Sequence, residues 1–220
     1  RTANTGKKQE GISFLLIEMD RPGIEVRPIV SIDGEHHLNQ VFFADLRVPR
    51  SNLVGQEGQG WEIAKYLLTR ERTSIAGVAE SKAAMANLLR SAAERRWAGT
   101  RLIDQPGMAA RLARAEIDLT ALDYTNLRVL PSTAAGKAPG PESSLLKLMG
   151  TAVQQTLSEL ALDIGAEQAW PWHPEGALAE AAHVHSMERY AFLRACTIYG
   201  GSDEVQKTVL AKSMLAGAAR

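Results

Sequence analysis

From Gln59 onward, apolar residues recur with the period of an α-helix. Trp61, Ala64, Leu68, Ile75, Val78, Met85, Leu88 and Ala92 mark one face over about 35 residues. A helix that long cannot bury such a stripe alone and needs helical neighbours along its length. The rest of the sequence supplies them. Asp104 is a candidate N-cap with Pro106 in the first turn of a second helix, which carries Met108, Leu112, Ala115, Leu119 and Leu122 on one stripe and is expected to stop at Pro131. A small, Gly/Pro-rich linker runs from Pro131 to Pro141. A third helix repeats the stripe at Leu145, Leu148, Ala152, Thr156 and Leu160 and ends near Gly165, and a fourth covers roughly Leu178 to Ala195. A short last helix begins at Ser202, with Asp203 and Glu204 suited to its cap and first turn, and runs through Val205, Val209 and Lys212.

Ahead of the helices, residues 11–50 hold short apolar runs separated by turn signals. These are Ile12 to Met19, then Ile24 to Val30, then Val41-Phe42-Phe43 to Val48-Pro49, with Arg21-Pro22-Gly23 and Asp33-Gly34 between them. That pattern predicts about three antiparallel strands, too few to cover their own faces and edges. Either they pack on the helical part of the chain or they are half of a larger sheet. The expected fold class is mainly α: a C-terminal antiparallel four-helix bundle preceded by a partial antiparallel β domain, divided as 1–55 and 56–220.

Composition narrows the partners. Among 220 residues, 45% are hydrophobic, and no apolar run has the length of a membrane span. Lys plus Arg equals Asp plus Glu at 25 each, so no basic excess points to nucleic acid or an anionic membrane. The single cysteine, Cys196, has no internal disulfide partner and reads as a small hydrophobe inside a helix, which fits a reducing compartment. The chain opens Arg1-Thr2-Ala3-Asn4 without Met or a signal segment and is expected to be a piece of a longer product. Its Ala/Arg richness and this context give a cytoplasmic, bacterial expectation.

Glu71 is the most informative single residue. It stands three after Leu68 and four before Ile75, where the apolar stripe should continue. A carboxylate there must be neutralised, paired or facing a cavity, and desolvation would raise its pKa towards that of a general base. The plainer alternative, which the pattern alone favours, is that Arg70-Glu71-Arg72 is a solvated face where the stripe drifts. The turn Ile198-Tyr199-Gly200-Gly201-Ser202 precedes the last helix, and its paired glycines permit close backbone approach to a ligand; a plain glycine linker has the same sequence. Arg95-Arg96 suit either the C-terminal dipole of the first helix or a phosphate. His183 and His185 are two apart on an expected helix and diverge, and His36-His37 lie in a strand or turn, so no metal is assigned. Gly55-Gln56-Glu57-Gly58-Gln59-Gly60 lacks the parallel crossover of a dinucleotide fingerprint and reads as a flexible junction.

Three ordered elements resemble the acyl-CoA dehydrogenases. Ile198-Tyr199-Gly200-Gly201-Ser202-Asp203-Glu204-Val205-Gln206 looks like the family's final signature. Val41-Phe42-Phe43-Ala44-Asp45-Leu46-Arg47-Val48-Pro49, with Asn52-Leu53-Val54-Gly55 to Gly60-Trp61, is similar to its strand and the start of its bundle. Glu94-Arg95-Arg96-Trp97-Ala98-Gly99 with Asp104-Gln105 resembles its flavin-contacting segment.

Most members carry the base directly after the signature tyrosine, where this chain has Gly200. In the branch resembling the long-chain and isovaleryl enzymes the glutamate lies on the first bundle helix immediately before an arginine, which here is Glu71 before Arg72. The resemblance implies α,β-dehydrogenation of an acyl-CoA to a trans-2-enoyl-CoA with FAD, Glu71 acting as base. It places Arg95 and Gln105 at the flavin pyrophosphate region of a neighbouring subunit, Ser202 and Glu204 at the flavin nucleotide, and Arg72 and Gly201 beside the acyl-CoA. It also implies a tetramer, homomeric or heteromeric, passing electrons to an electron-transfer flavoprotein. Alternatives are a non-catalytic partner subunit and an acyl-CoA oxidase. The chain departs from the pattern at Ala98, where the family has phenylalanine, and at Asp163 to Gln168, which replace a Gly-Gly loop. Trp170-Pro171-Trp172-His173-Pro174 is a further departure. The family's N-terminal helical domain and the first half of its β domain have no counterpart in this sequence, so the chain alone is expected to bind flavin poorly or not at all.

Overall fold

The computed structural model describes residues 1–4, 6–134, 140–172 and 183–218, without the side chains of 69–75, 132–134 and 216–218. The chain divides into two compact units, Arg1–Arg70 and Glu71–Arg220.

In the first unit, β1 (Phe14–Leu15) pairs antiparallel with β4 (Leu53–Val54), and β2 (Ile24–Val30) pairs antiparallel with β3 (His36–Phe43). The strands thus form two separate pairs, not one run of three. The β2–β3 hairpin turns at Asp33, whose buried carboxylate accepts the Glu35 N–H at 3.2 Å and meets His37 Nε2 at 2.7 Å. The expected third strand stops at Phe43, because Asp45 adopts a positive φ of 47°. Nearly all of the apolar side chains on this hairpin, among them Val30, Leu38, Phe42 and Phe43, are exposed. The glycine-rich stretch after β4 is a tight contact instead of a loose junction: the Gly60 N–H donates to Ile12 O at 2.7 Å and the Gly58 N–H to Ser13 Oγ at 2.9 Å.

The helices are α1 (Gly60–Ile75), α2 (Val78–Glu94), α3 (Pro106–Ala134), α4 (Glu142–Gly165), α5 (Ser186–Leu193) and α6 (Asp203–Ala218). Between α2 and α3, β5 (Arg96–Trp97) and β6 (Thr100–Arg101) form a small hairpin, followed by a 3-10 turn at Leu102–Asp104. The fold class is as expected, mainly helical and antiparallel. Its core joins Met85, Leu88 and Ala92 of α2 and Leu112, Ala115, Leu119 and Leu122 of α3 to Leu146, Val153, Leu157, Leu160 and Ile164 of α4.

Four helical expectations need correction. The single long helix is two, because Gly77 takes a left-handed conformation (φ 58°, ψ 37°) that ends α1 and starts α2. Its carbonyl accepts the Ser81 N–H at 2.9 Å. α3 passes through Pro131 to Ala134, since a proline near a helix end forfeits only one hydrogen bond; residues 135–139 of the expected linker lie outside the described residues. The α4 stripe is displaced: Leu145, Ala152 and Thr156 are exposed, while Ser143, Ser144, Leu146, Lys147, Gly150, Thr151 and Val153 are buried. The reason is that α4 packs against α2, α3, α5 and α6, so its buried surface is wider than one stripe. The fourth helix, expected from Leu178, is described only from Ser186, and residues 173–182 lie outside the described residues; it passes into a 3-10 turn at Arg194–Thr197. His183 and His185 precede α5, and His185 stands at its N-cap position without a side-chain capping bond.

Candidate functional site

Glu71 and Arg72 fall in the last turns of α1, one helical turn before the Ala76–Gly77 break. Their side chains lie outside the described residues. What fixes the break is visible from the other side: Gly150 of α4 lies so close that a Cβ added there would sit 2.5 Å from the Ala76 carbonyl oxygen. The helix end bearing Glu71 therefore abuts the central helix of the bundle.

The remaining predicted residues form two groups. In the first, Arg95 leaves α2 in an extended conformation and its carbonyl accepts the Leu102 N–H at 2.9 Å. The β5–β6 hairpin thereby folds back and places Gln105 beside it, where Gln105 Nε2 donates to Trp97 O at 3.4 Å. The half-buried Arg95 Nη1 donates to Gln168 Oε1 at 2.6 Å, and Nη2 lies 3.8 Å from the Glu167 carboxylate. Glu167 and Gln168, missed from the sequence as partners of Arg95, belong to the segment that replaces the Gly-Gly loop; Ala166 turns it with a positive φ of 46°. Ala98, also a departure, takes a positive φ of 49° at the hairpin tip, and Trp170 is exposed. His173 and Pro174 of the adjoining insertion lie outside the described residues.

In the second group, Gly200 and Gly201 take φ values of 66° and 92°, and Ser202 starts α6 with its Oγ accepting the Val205 N–H at 3.4 Å. The Glu204 carboxyl is held below its usual range, first by its own backbone N–H, then by the Ser202 hydroxyl. Beneath this helix start, Lys147 of α4 is wholly buried and donates to Asp203 Oδ1 at 2.6 Å. On the other side of the turn, Thr151 Oγ1 donates to Cys196 O at 3.3 Å. Lys147 and Thr151 thus clamp the turn on both flanks. A lysine four residues before a threonine in a helix core was the available signal, hidden by the displaced stripe. Cys196 is buried, and burial pushes its thiol up.

A third feature carries no sequence motif. A cavity of about 630 Å³ lies between α2, α4 and the start of α5, lined in part by Ser81, Leu88, Gln154, Leu157, Ser158 and His183. Ser81 Oγ and His183 Nε2 are buried there without hydrogen-bond partners among the described residues. Burial, and secondarily the nearby Arg95, lowers the His183 pKa.

Residues 58–215 match the family model described as acyl-CoA dehydrogenase, C-terminal domain. The chain belongs to the acyl-CoA dehydrogenase family. Acyl-CoA dehydrogenase IpdE1 of Mycobacterium tuberculosis is 33% identical to it over 223 residues, covering 98% of this chain and 53% of that protein. Among solved structures, the ChsE4-ChsE5 complex from Mycobacterium tuberculosis is 25% identical with a TM-score of 0.82, covering 96% of this chain and 55% of that one. The Tcur3481-Tcur3483 steroid ACAD shares the fold at a TM-score of 0.87 and 22% identity, covering 98% of this chain and 54% of that one. The chain spans about half the length of the curated relatives it matches. Among the described residues no helix is long and apolar enough to cross a membrane.

Both groups fit what a flavin dinucleotide requires. Arg95 and Gln105 offer a half-buried guanidinium and an amide on one corner, suited to a diphosphate. Ser202 and Glu204 offer a hydroxyl and an acceptor carboxylate at a helix N-terminus, suited to ribose or ribityl hydroxyls.

Proposed function

We propose that this chain carries the catalytic base of an FAD-dependent acyl-CoA dehydrogenase that converts an acyl-CoA thioester to a trans-2-enoyl-CoA. The observation that carries this reading is the Tyr199-Gly200-Gly201 turn. Both glycines hold left-handed φ values and neither has a side chain, so the turn supplies no acid and the base must come from another element. Glu71, on the helix end abutting Gly150, is that carboxylate.

In the proposed reaction Glu71 accepts the α-proton of the acyl-CoA, acidified by its thioester, while Arg72 and Gly201 border the substrate. Ser202 and Glu204 hold the flavin nucleotide, and Arg95 with Gln105 hold the diphosphate of a flavin in a neighbouring subunit of a tetramer. FAD, when bound, supplies the hydride acceptor at the β-carbon, and an electron-transfer flavoprotein takes the electrons onward.

A second reading, a non-catalytic partner subunit of a heteromeric acyl-CoA dehydrogenase, is favoured by the Glu167–Gln168 segment, which already engages Arg95. The similarity to the ChsE4-ChsE5 complex, an assembly of two different chains, is consistent with it. The deciding experiment is anaerobic bleaching of flavin absorbance in the full-length protein by a panel of acyl-CoAs, wild type against Glu71→Gln. Bleaching abolished by the substitution while flavin stays bound supports Glu71 as base; no bleaching in the wild type supports the partner subunit.

A further inference from the structure

Gln206 stands one turn into α6 and is wholly buried, yet among the described residues neither its Oε1 nor its Nε2 has a hydrogen-bond partner. Burying a carboxamide with both ends unpaired is costly, and leucine or methionine would fill similar space without that cost. Its position gives the reason. The amide nitrogen lies 2.2 Å from where a Cβ on Gly201 would sit, so the carboxamide fills the space of the missing side chain against the left-handed turn. The backbone ties the same parts together, the Gln206 N–H donating to Ser202 O at 3.0 Å. The flanks of the turn are pinned by the Lys147–Asp203 pair and the Thr151–Cys196 bond, but among the described residues the space beside Gly201 itself meets no side chain other than Gln206.

We propose that Gln206 is a positioning residue: its buried carboxamide supports the Gly200-Gly201-Ser202 turn in the geometry that meets acyl-CoA and flavin. It excludes any side chain at 201 and offers the turn's peptide groups a donor and an acceptor when ligand draws the turn onto it. This role rests on the dehydrogenase reading for its substrate, not for its structural content.

The test compares wild type, Gln206→Met and Gln206→Glu in the full-length protein, by hydrogen exchange of the peptide spanning Tyr199 to Ser202 with acyl-CoA bound and by the KM for acyl-CoA. Methionine keeps the volume and loses the hydrogen bonding. The expected result is a melting temperature at or above that of the wild type, exchange of the ligand-bound turn faster by about tenfold, and KM raised by about fivefold with kcat within about twofold. The glutamate variant recovers KM as the pH is lowered, because the protonated carboxyl again offers both donor and acceptor. If Gln206→Met matches wild type in both exchange and KM, or raises KM without altering exchange, the positioning role is overturned. If exchange accelerates but even the wild type turns over no acyl-CoA, the positioning role stands and the dehydrogenase reading fails.

Discussion

Replacing Gly150 with alanine should destabilise the bundle, although alanine is the better helix former. Gly150 lies within α4, where the substitution on propensity alone would gain about 1 kcal/mol. The new Cβ, however, would meet three backbone atoms of Ala76: O at 2.5 Å, Cα at 2.7 Å and C at 2.9 Å. None of these can rotate away. Restoring ordinary contact requires α4 and the Ala76 segment to part by about 0.9 Å, a gap that forfeits a quarter to a half of the contact energy along that seam. Overpacking of this kind costs about 3 kcal/mol at the upper end, leaving a net loss of about 2 kcal/mol. Gly107 is the control: it lies in the first turn of α3, where an added Cβ would meet no described residue within 4 Å, so Gly107→Ala should be neutral or stabilise by up to about 1 kcal/mol. Urea denaturation and thermal melts of both variants provide the assay. Gly150→Ala is expected to lower the melting temperature by about 4–8 °C, and kcat should fall with it because Ala76 directly follows the helix end bearing Glu71. A Gly150→Ala variant as stable as Gly107→Ala would refute the close-approach argument.

Two further outcomes concern buried polar groups. His183 has a pKa below the ordinary value of about 6.5, so between that value and its folded pKa the unfolded chain binds more protons and stability declines as the pH falls; His183→Leu should flatten the difference between urea midpoints at pH 7.5 and 5.5. Lys147→Met strips the partner from Asp203, whose side chain is 20% exposed at a helix N-terminus, so the loss should be about 2–3 kcal/mol, less than the full penalty of breaking a buried pair. The double variant Lys147→Met/Asp203→Ser should regain at least half of that in the same denaturation assay.

The elements legible in the sequence are those with one buried face. α3 shows its stripe because Leu112, Ala115, Leu119 and Leu122 meet the core from one side. α4 misleads because it is central, so small and polar residues such as Ser144, Gly150 and Thr151 are buried wherever a neighbour approaches. The Gly77 break is invisible because apolar periodicity continues on both sides of it and glycine alone does not declare a left-handed conformation. Glu71 stands out locally, by interrupting the stripe between Leu68 and Ile75. The partners of Arg95 cannot be read that way: Gln168 is 73 residues distant and meets Arg95 only after α3 and α4 have packed.

That Arg95 corner bears on the two readings of the protein. Glu167 is 80% exposed and its carboxylate lies 3.8 Å from Arg95, a solvent-screened pair contributing about 0.2–1 kcal/mol. The neutral Gln168 acceptor at 2.6 Å adds a hydrogen bond to a charged donor, about 1.5–3 kcal/mol at most, before its own desolvation is counted. A diphosphate approaching the same guanidinium brings full negative charge and bidentate geometry, neither of which the neutral Gln168 acceptor offers. Neither residue therefore locks Arg95 away from a flavin of the proposed tetramer. In the proposed tetramer the replaced loop would therefore compete for the corner without closing it, and the proposal of Glu71 as base stands alongside it.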